Sequence, residues 1–328
     1  MRWLLPVFTI ACGYPGPLPG DDVGDDDDDT PTVVVGPQVV RVVTWNVEEL
    51  GYPTSDEYEA VKEVLARLDA DIVGLNEIDD PELDHVETMA AELGYDTVVV
   101  PATNPFGDIR NAIMTRLPVS SSQIHKPSDL SGDSAANDVT RYPISVTVDA
   151  GHPLTVVIQH WKSGFDDEDE FRRAIDSERT AQAVAGSGDW VIAMGDVNQE
   201  IDDPPWSPAA FTSIPSGMPG DFWLGSDLYD RMTGTGITNN AFSALSALGL
   251  EIIEAKQLDG RFDTRDVSGR RIDYITGSSN VRATAIAEIF DSRDDGADGL
   301  TKAGAVLGRE VSATASDHFP VMAEFVVE

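Results

Sequence analysis

The chain has 328 residues, with 22 Lys and Arg against 58 Asp and Glu, for a formal net charge of -36. That excess argues against a binder that draws nucleic acid onto a broad basic face, so any polyanionic substrate has to be held locally, by metal and a few arginines. The 41% apolar content excludes wholesale disorder, and no apolar run approaches the roughly eighteen residues of a membrane span. So acidic a surface suits salty or extracellular water, where repulsion is screened; a compositional bias of the source genome would produce the same pattern.

Residues 1–12 carry one basic residue, a short apolar stretch and the lone cysteine, Cys12, after a small residue. The segment resembles a bacterial lipoprotein signal, in which the cysteine is lipidated and becomes the first mature residue; a cleaved secretory signal without lipid is the alternative. Residues 13–38 are Gly/Pro-rich and then Asp-rich, read as a disordered tether. From residue 39 the pattern becomes regular. Val39 to Trp45 reads as a buried strand, Asp56 to Leu68 as a helix and Asp71 to Leu75 as a strand. Pro81 to Leu93 follows as a helix, then strands at Tyr95 to Val100, Asn111 to Thr115, Ile144 to Val148 and Leu154 to Gln159. Glu168 to Val184 is a charged amphipathic helix, and strands at Trp190 to Met194, Arg271 to Thr276 and Phe319 to Val327 complete one domain, 39–328. The alternation implies a mixed sheet pair flanked by helices.

Five polar clusters follow the apolar runs. Asn46 and Glu48 lie in Thr44-Trp45-Asn46-Val47-Glu48 and Glu77 in Asn76-Glu77, supplying the carboxylate and amide oxygens that hard divalent cations prefer. His160-Trp161-Lys162-Ser163 follows the expected strand Leu154 to Gln159. In Gly195-Asp196-Val197-Asn198, alternation along an extended segment puts Asp196 and Asn198 on one face, a carboxylate to orient water and an amide to hold an oxyanion. In the fifth, Asp317-His318 sets a metal-ligating carboxylate beside an imidazole that Asp273 can orient.

Taken in order, these motifs resemble the endonuclease/exonuclease/phosphatase superfamily with the DNase I-like fold, from about Val39 to Glu328. The resemblance implies a four-layer α/β sandwich of two packed mixed sheets flanked by helices, and a Mg²⁺- or Mn²⁺-dependent phosphoester hydrolase. It implies Glu77 as the principal metal ligand with Asn46, Glu48 and Asp317 around the same cation. Asp196 matches the carboxylate that activates water, Asn198 the amide that contacts phosphate, and His318, oriented by Asp273, the essential histidine. His160 matches a second histidine that supports the phosphate or the leaving group.

The His160-Trp161-Lys162-Ser163 segment with Arg172, Arg173 and Arg179 is similar to a bacterial extracellular-nuclease branch, in which Lys162 and Ser163 are expected to touch substrate phosphate. The three arginines are expected to pair with Asp169, Glu170, Asp176 and Glu178 on their own helix. Trp206, Phe211, Phe222 and Trp223 are expected to pack a long loop rather than stack bases, and Asp291 to Asp298 to be a solvated loop rather than a Ca²⁺ site. The expected protein is thus an exported monomer acting on nucleic acid, touching membrane only through its lipid. A phospholipase C-like, sphingomyelinase-like or small-molecule phosphatase is the alternative, and a non-catalytic surface binding module a third reading.

Overall fold

The computed structural model of the chain describes residues 36–79, 82–201, 211–234 and 242–328. The signal segment with Cys12, the tether up to residue 35, and Trp206 lie outside the described residues. The chain opens with β1 (Gln38–Asn46), α1 (Asp56–Leu68), β2 (Ile72–Ile78), α2 (Leu83–Leu93), β3 (Thr97–Val99) and β4 (Arg110–Thr115). It continues through β5 (Val119–Ile124), α3 (Pro127–Ser131), β6 (Ile144–Asp149), β7 (Pro153–His160), α4 (Asp167–Val184), β8 (Val191–Asp196), α5 (Ser226–Gly234), α6 (Ser243–Ser246), β9 (Glu251–Ile252) and β10 (Asp273–Gly277). Then α7 (Ser279–Arg282), β11 (Ile286–Ile289), α8 (Val311–Ala315) and β12 (Val321–Val327) close it.

Two six-stranded sheets form, ordered β11-β12-β1-β2-β4-β3 and β5-β6-β7-β8-β10-β9. Each contains one parallel pair, β1 with β2 and β7 with β8, because α1 and α4 return the chain across the sheet face; the other pairings are antiparallel. The cap of α1 is local: the Ser55 side chain accepts the Tyr58 N–H, and Asp69 closes the helix in a left-handed conformation at φ 47°.

Strand alternation builds the layers. Val40, Val42, Ile72 and Ile113 of the first sheet meet Val156, Ile158, Ile192 and Ile275 of the second in one buried cluster. The intervening Val43, Trp45, Val73 and Leu75 face the other way, onto Val61, Val64, Leu65 and Leu68 of α1 and Met89 of α2. On the far face, Val157, Val191 and Ala193 pack beneath Ala181 and Val184 of α4. Each fully buried aliphatic side chain contributes about 1.5–3 kcal/mol against solvent exposure. The sheets approach closely at Gly74, where a Cβ would lie 2.6 Å from Ile158 Cδ1 and 2.8 Å from Met194 Cε. This is the expected α/β sandwich.

Some elements escaped the sequence pattern. Strand β5, VSSSQI, is an edge strand with an exposed centre, so its serines obscure the period-two signal. Helix α4 begins at Asp167 through a capping box between Asp166 and Asp169. The expectation of a solvated loop at Asp291 to Asp298 fails at three positions, since Asp291, Ser292 and Asp295 are buried. Asp295 takes a forked ion pair from Arg67 of α1, and Asp291 accepts from Arg261 and Arg293, so burial is offset by pairing. Phe211 packs edge-on against Phe171 at 4.7 Å and Phe222 joins the same cluster, as a packed loop requires, while Trp223 stays exposed.

Candidate active site

Strand direction gathers the polar clusters. Asn46 and Asn76 are partners at the C-terminal ends of the parallel pair β1 and β2, and His160 and Asp196 are partners at the ends of β7 and β8. β10 runs antiparallel to β8, so its first residue, Asp273, lies opposite Asp196; β12 runs antiparallel to β1, so the residues before it, Asp317 and His318, arrive at the same edge. Six separate segments thus meet at one end of the two sheets.

Hydrogen bonds lock the two halves together. Asn76, fully buried, accepts the Asp196 N–H on its Oδ1 at 2.9 Å and donates from Nδ2 to Asn111 Oδ1 and Gln159 O. Asn46 donates to Asp196 Oδ2 at 3.1 Å. Ser316 Oγ donates to Asn46 O and accepts the His318 N–H, while Trp45 Nε1 donates to His318 O. Glu77 lies within a register shift between Leu75 and Ile78 and holds φ 63°, a left-handed conformation that turns its carboxylate out of the strand alternation. Its Oε1 lies 3.6 Å from His160 Nε2, which is also 3.6 Å from Asp196 Oδ2.

The extended reading of Gly195-Asp196-Val197-Asn198 needs correction. Asn198 is left-handed at φ 52°, and its own N–H caps Asp196 Oδ1 at 2.8 Å, so a tight turn replaces alternation. The Asn198 amide donates to Trp161 O at 3.0 Å, which still holds the side chain at the same edge.

The two histidines differ in charge. His318 Nδ1 donates to Asp273 Oδ2 at 2.8 Å. Burial opposes its charge, but Asp273, followed by Asp196 and Asp317, overcomes that and raises its pKa to about 10, so it is an imidazolium at neutral pH. His160 is buried with neither ring nitrogen hydrogen-bonded; burial, then Arg141 and His318, holds it well below the usual histidine range, and it is neutral. Burial, reinforced by the Asp273 carboxylate, pushes Asp196 well above the usual carboxylate range. Thr264 Oγ1 accepts the N–H groups of Ile272 and Asp273 and fixes the start of β10.

Two groups could present three ligand atoms to a metal, Glu77 with His160 and Asp196, and Asp196 with Asp273 and His318, the atoms of each set lying within 4.8 Å. The second holds a proton where a ligand needs a lone pair, so the first is the better cation site. The donor chemistry there fits a divalent ion, because the His160 ring nitrogens have no other partner. Glu48, raised by burial and by the nearby Asp317 and Glu77 carboxylates, adds negative charge that a cation would offset. Asp317 is already paired with Arg265 at 2.8 Å, and its Oδ1 sits 3.5 Å from His318 Nε2.

The predicted phosphate contacts are placed differently. Lys162 Nζ is held by Asp169 Oδ1 at 2.7 Å and Ser163 O at 2.8 Å, and Ser163 is exposed. The expected pairing of the α4 arginines within their helix also fails in large part. Arg173 donates to the carbonyl oxygens of Lys162 and Gly164, Arg179 binds Asp138 and Asp227 as well as Gln182 of its own helix, and Arg172 pairs with Glu168 at 3.5 Å. Asp176 is taken instead by the Thr140 and Lys162 N–H groups, and Glu178 by Arg231. Among the described residues Arg141 does face the cluster: its guanidinium interacts with Glu77, Asp196 and Asp176 and donates to Trp161 O at 3.4 Å. It precedes β6, which is antiparallel to β7, so it is delivered beside His160. Only the strand pairing reveals that position.

The Endonuclease/Exonuclease/phosphatase family model matches residues 43–318. The chain belongs to this family of phosphoester hydrolases, and its fold is the DNase I-like one. No curated protein matches it. Among solved structures it is similar to a Neisseria 3′ phosphatase, NExo, bound to a product DNA hairpin, with 18% identity over 87% of this chain and 99% of that one and a TM-score of 0.55. It is also similar to ANGEL2, a 2′,3′-cyclic phosphatase, with 13% identity over 89% and 96% and a TM-score of 0.57. The human Nocturnin catalytic domain with bound sulfate matches at 16% identity over 88% and 94%, TM-score 0.53.

Proposed function

We propose that this protein is a divalent-metal-dependent phosphodiesterase acting on nucleic acid outside the cell, anchored through Cys12. The observation that carries the chemistry is the buried Asp273–His318 pair facing Asp196, with Glu77, His160 and Arg141 around it. A phosphate among these groups meets a carboxylate of raised pKa suited to accept a proton from attacking water, and an imidazolium and a guanidinium suited to negative oxygen. Asp196 orients and deprotonates the water, Asn46 and the Asn198 N–H hold that carboxylate in place, and the phosphodiester yields a monoester and an alcohol. His318 donates to the oxygens that gain charge, and Arg141 holds the phosphate. Glu77, His160 and Asp196, with Glu48 and Asp317 nearby, would hold Mg²⁺ or Mn²⁺, which supplies charge neutralisation at the phosphate when bound.

Nucleic acid is favoured by the motif resemblance and by the DNA hairpin in the Neisseria relative. The net charge of -36 favours a second reading, a small phosphoester or lipid substrate. The test is cleavage of plasmid, single-stranded oligonucleotide, phospholipid and monoester substrates with Mg²⁺, Mn²⁺ and chelator, beside His318→Ala and Asp196→Ala. Metal-dependent nicking lost in both folded variants supports a nuclease; turnover of lipid or monoester alone replaces it. Export is tested separately: Cys12→Ala should leave the membrane fraction with its turnover unchanged.

A further inference from the structure

Resting on the nuclease reading, we infer that Phe165, backed by Arg270, is a stacking platform for one nucleobase beside the scissile phosphate. Among the described residues Phe171, Phe290, Phe319 and Phe325 are at most 1% exposed, whereas Phe165, at 73%, is the most exposed aromatic, ahead of Tyr52, Trp223, Phe262 and Tyr229. Burial therefore does not account for it.

The ring has a place and a backing. It lies in the loop between His160 and α4, where Arg173 pins the carbonyl oxygens of Lys162 and Gly164. The Arg270 guanidinium carbon sits 5.3 Å from the ring centroid, and Glu200, two residues beyond Asn198, accepts from Arg270 and from the Arg271 N–H. Arg270 is bridged to Arg265, which binds Asp317 beside His318. Phe165 is thus tied to three active-site segments, those of His160, Asp196 with Asn198, and Asp317 with His318. Arg270 occupies one side of the ring, and its high exposure leaves aromatic surface for a partner. A flat, neutral surface under a cation suits a base flanked by a phosphate, and stacking recognises any base. It also holds a polyanion on an acidic protein without a broad basic face.

The experiment compares wild type, Phe165→Ala and Phe165→Trp on single-stranded oligonucleotides carrying one abasic residue at successive positions around the cleaved bond. The expected result is that Phe165→Ala lowers kcat/KM on the intact strand by about 5- to 100-fold, with Phe165→Trp restoring it. One abasic position should cost the wild type a similar factor and cost Phe165→Ala little more. Wild-type cleavage with equal kcat/KM in Phe165→Ala, or abasic losses undiminished in that variant, overturns the platform while keeping the nuclease. No wild-type cleavage of any nucleic acid overturns both.

Discussion

Arg179→Met tests whether the arginines of α4 act as cross-links between loops. Arg179 is fully buried and donates to Asp138 Oδ1 at 2.9 Å and Oδ2 at 2.5 Å, to Asp227 Oδ2 at 2.7 Å, and to Gln182 Oε1 at 2.6 Å. Asp138 is equally buried and also accepts the Gly225 N–H at 2.9 Å. Methionine fills much of the space but strands the Asp138 carboxylate with one backbone donor. Breaking one side of a buried pair costs about 3–5 kcal/mol. At about 2 °C per kcal/mol for a domain of this size, the melting temperature should fall by about 6–10 °C. Adding Asp138→Asn removes the stranded charge and should recover about half of the loss, a coupling that simple loss of packing does not produce. Calorimetry of the wild type and the two variants measures it. A shift under 2 °C in Arg179→Met would refute the reasoning.

Gly195→Ala should prevent folding or leave an inactive protein, because φ is 142° and a Cβ would lie 1.9 Å from Gln159 O; a soluble variant with wild-type melting and turnover contradicts this. Burial holds His125 at about 4, with Ser145 Oγ on its Nε2. The unfolded chain therefore takes up a proton below pH 6.5 that the folded one refuses, and stability is lost as pH falls from 6.5 toward 4. Urea titrations should show about 2 kcal/mol of this loss by pH 5 and its absence in His125→Gln; parallel pH dependence in both would count against it. Asp273→Asn withdraws the charge that keeps His318 protonated, so activity at pH 8 should drop at least about 100-fold and recover in part toward pH 6; a pH–rate profile parallel to the wild type rejects that role for Asp273.

Sequence alone determined the layers and most of the site. β-branched runs such as Val39 to Trp45 and helical spacing such as Val61, Val64, Leu65 and Leu68 report burial directly, because the apolar faces of each element must leave water. Asn46, Glu77, His160, Asp196, Asp273 and His318 were legible as polar clusters at the ends or starts of apolar strands, in the order of the family they resemble. Tertiary structure decided what those groups are to one another. Arg141 and Asn76 enter the site through strand pairing, which brings residues distant in sequence side by side. Lys162 is drawn to Asp169 and Asn198 into a tight turn by neighbours that no spacing rule reveals. The protonated state of His318 and the neutral state of His160 follow from burial and from which carboxylate or guanidinium lies nearby. Those electrostatic terms depend on distances across the fold, whereas the hydrophobic pattern depends only on which way each side chain points along its own strand or helix.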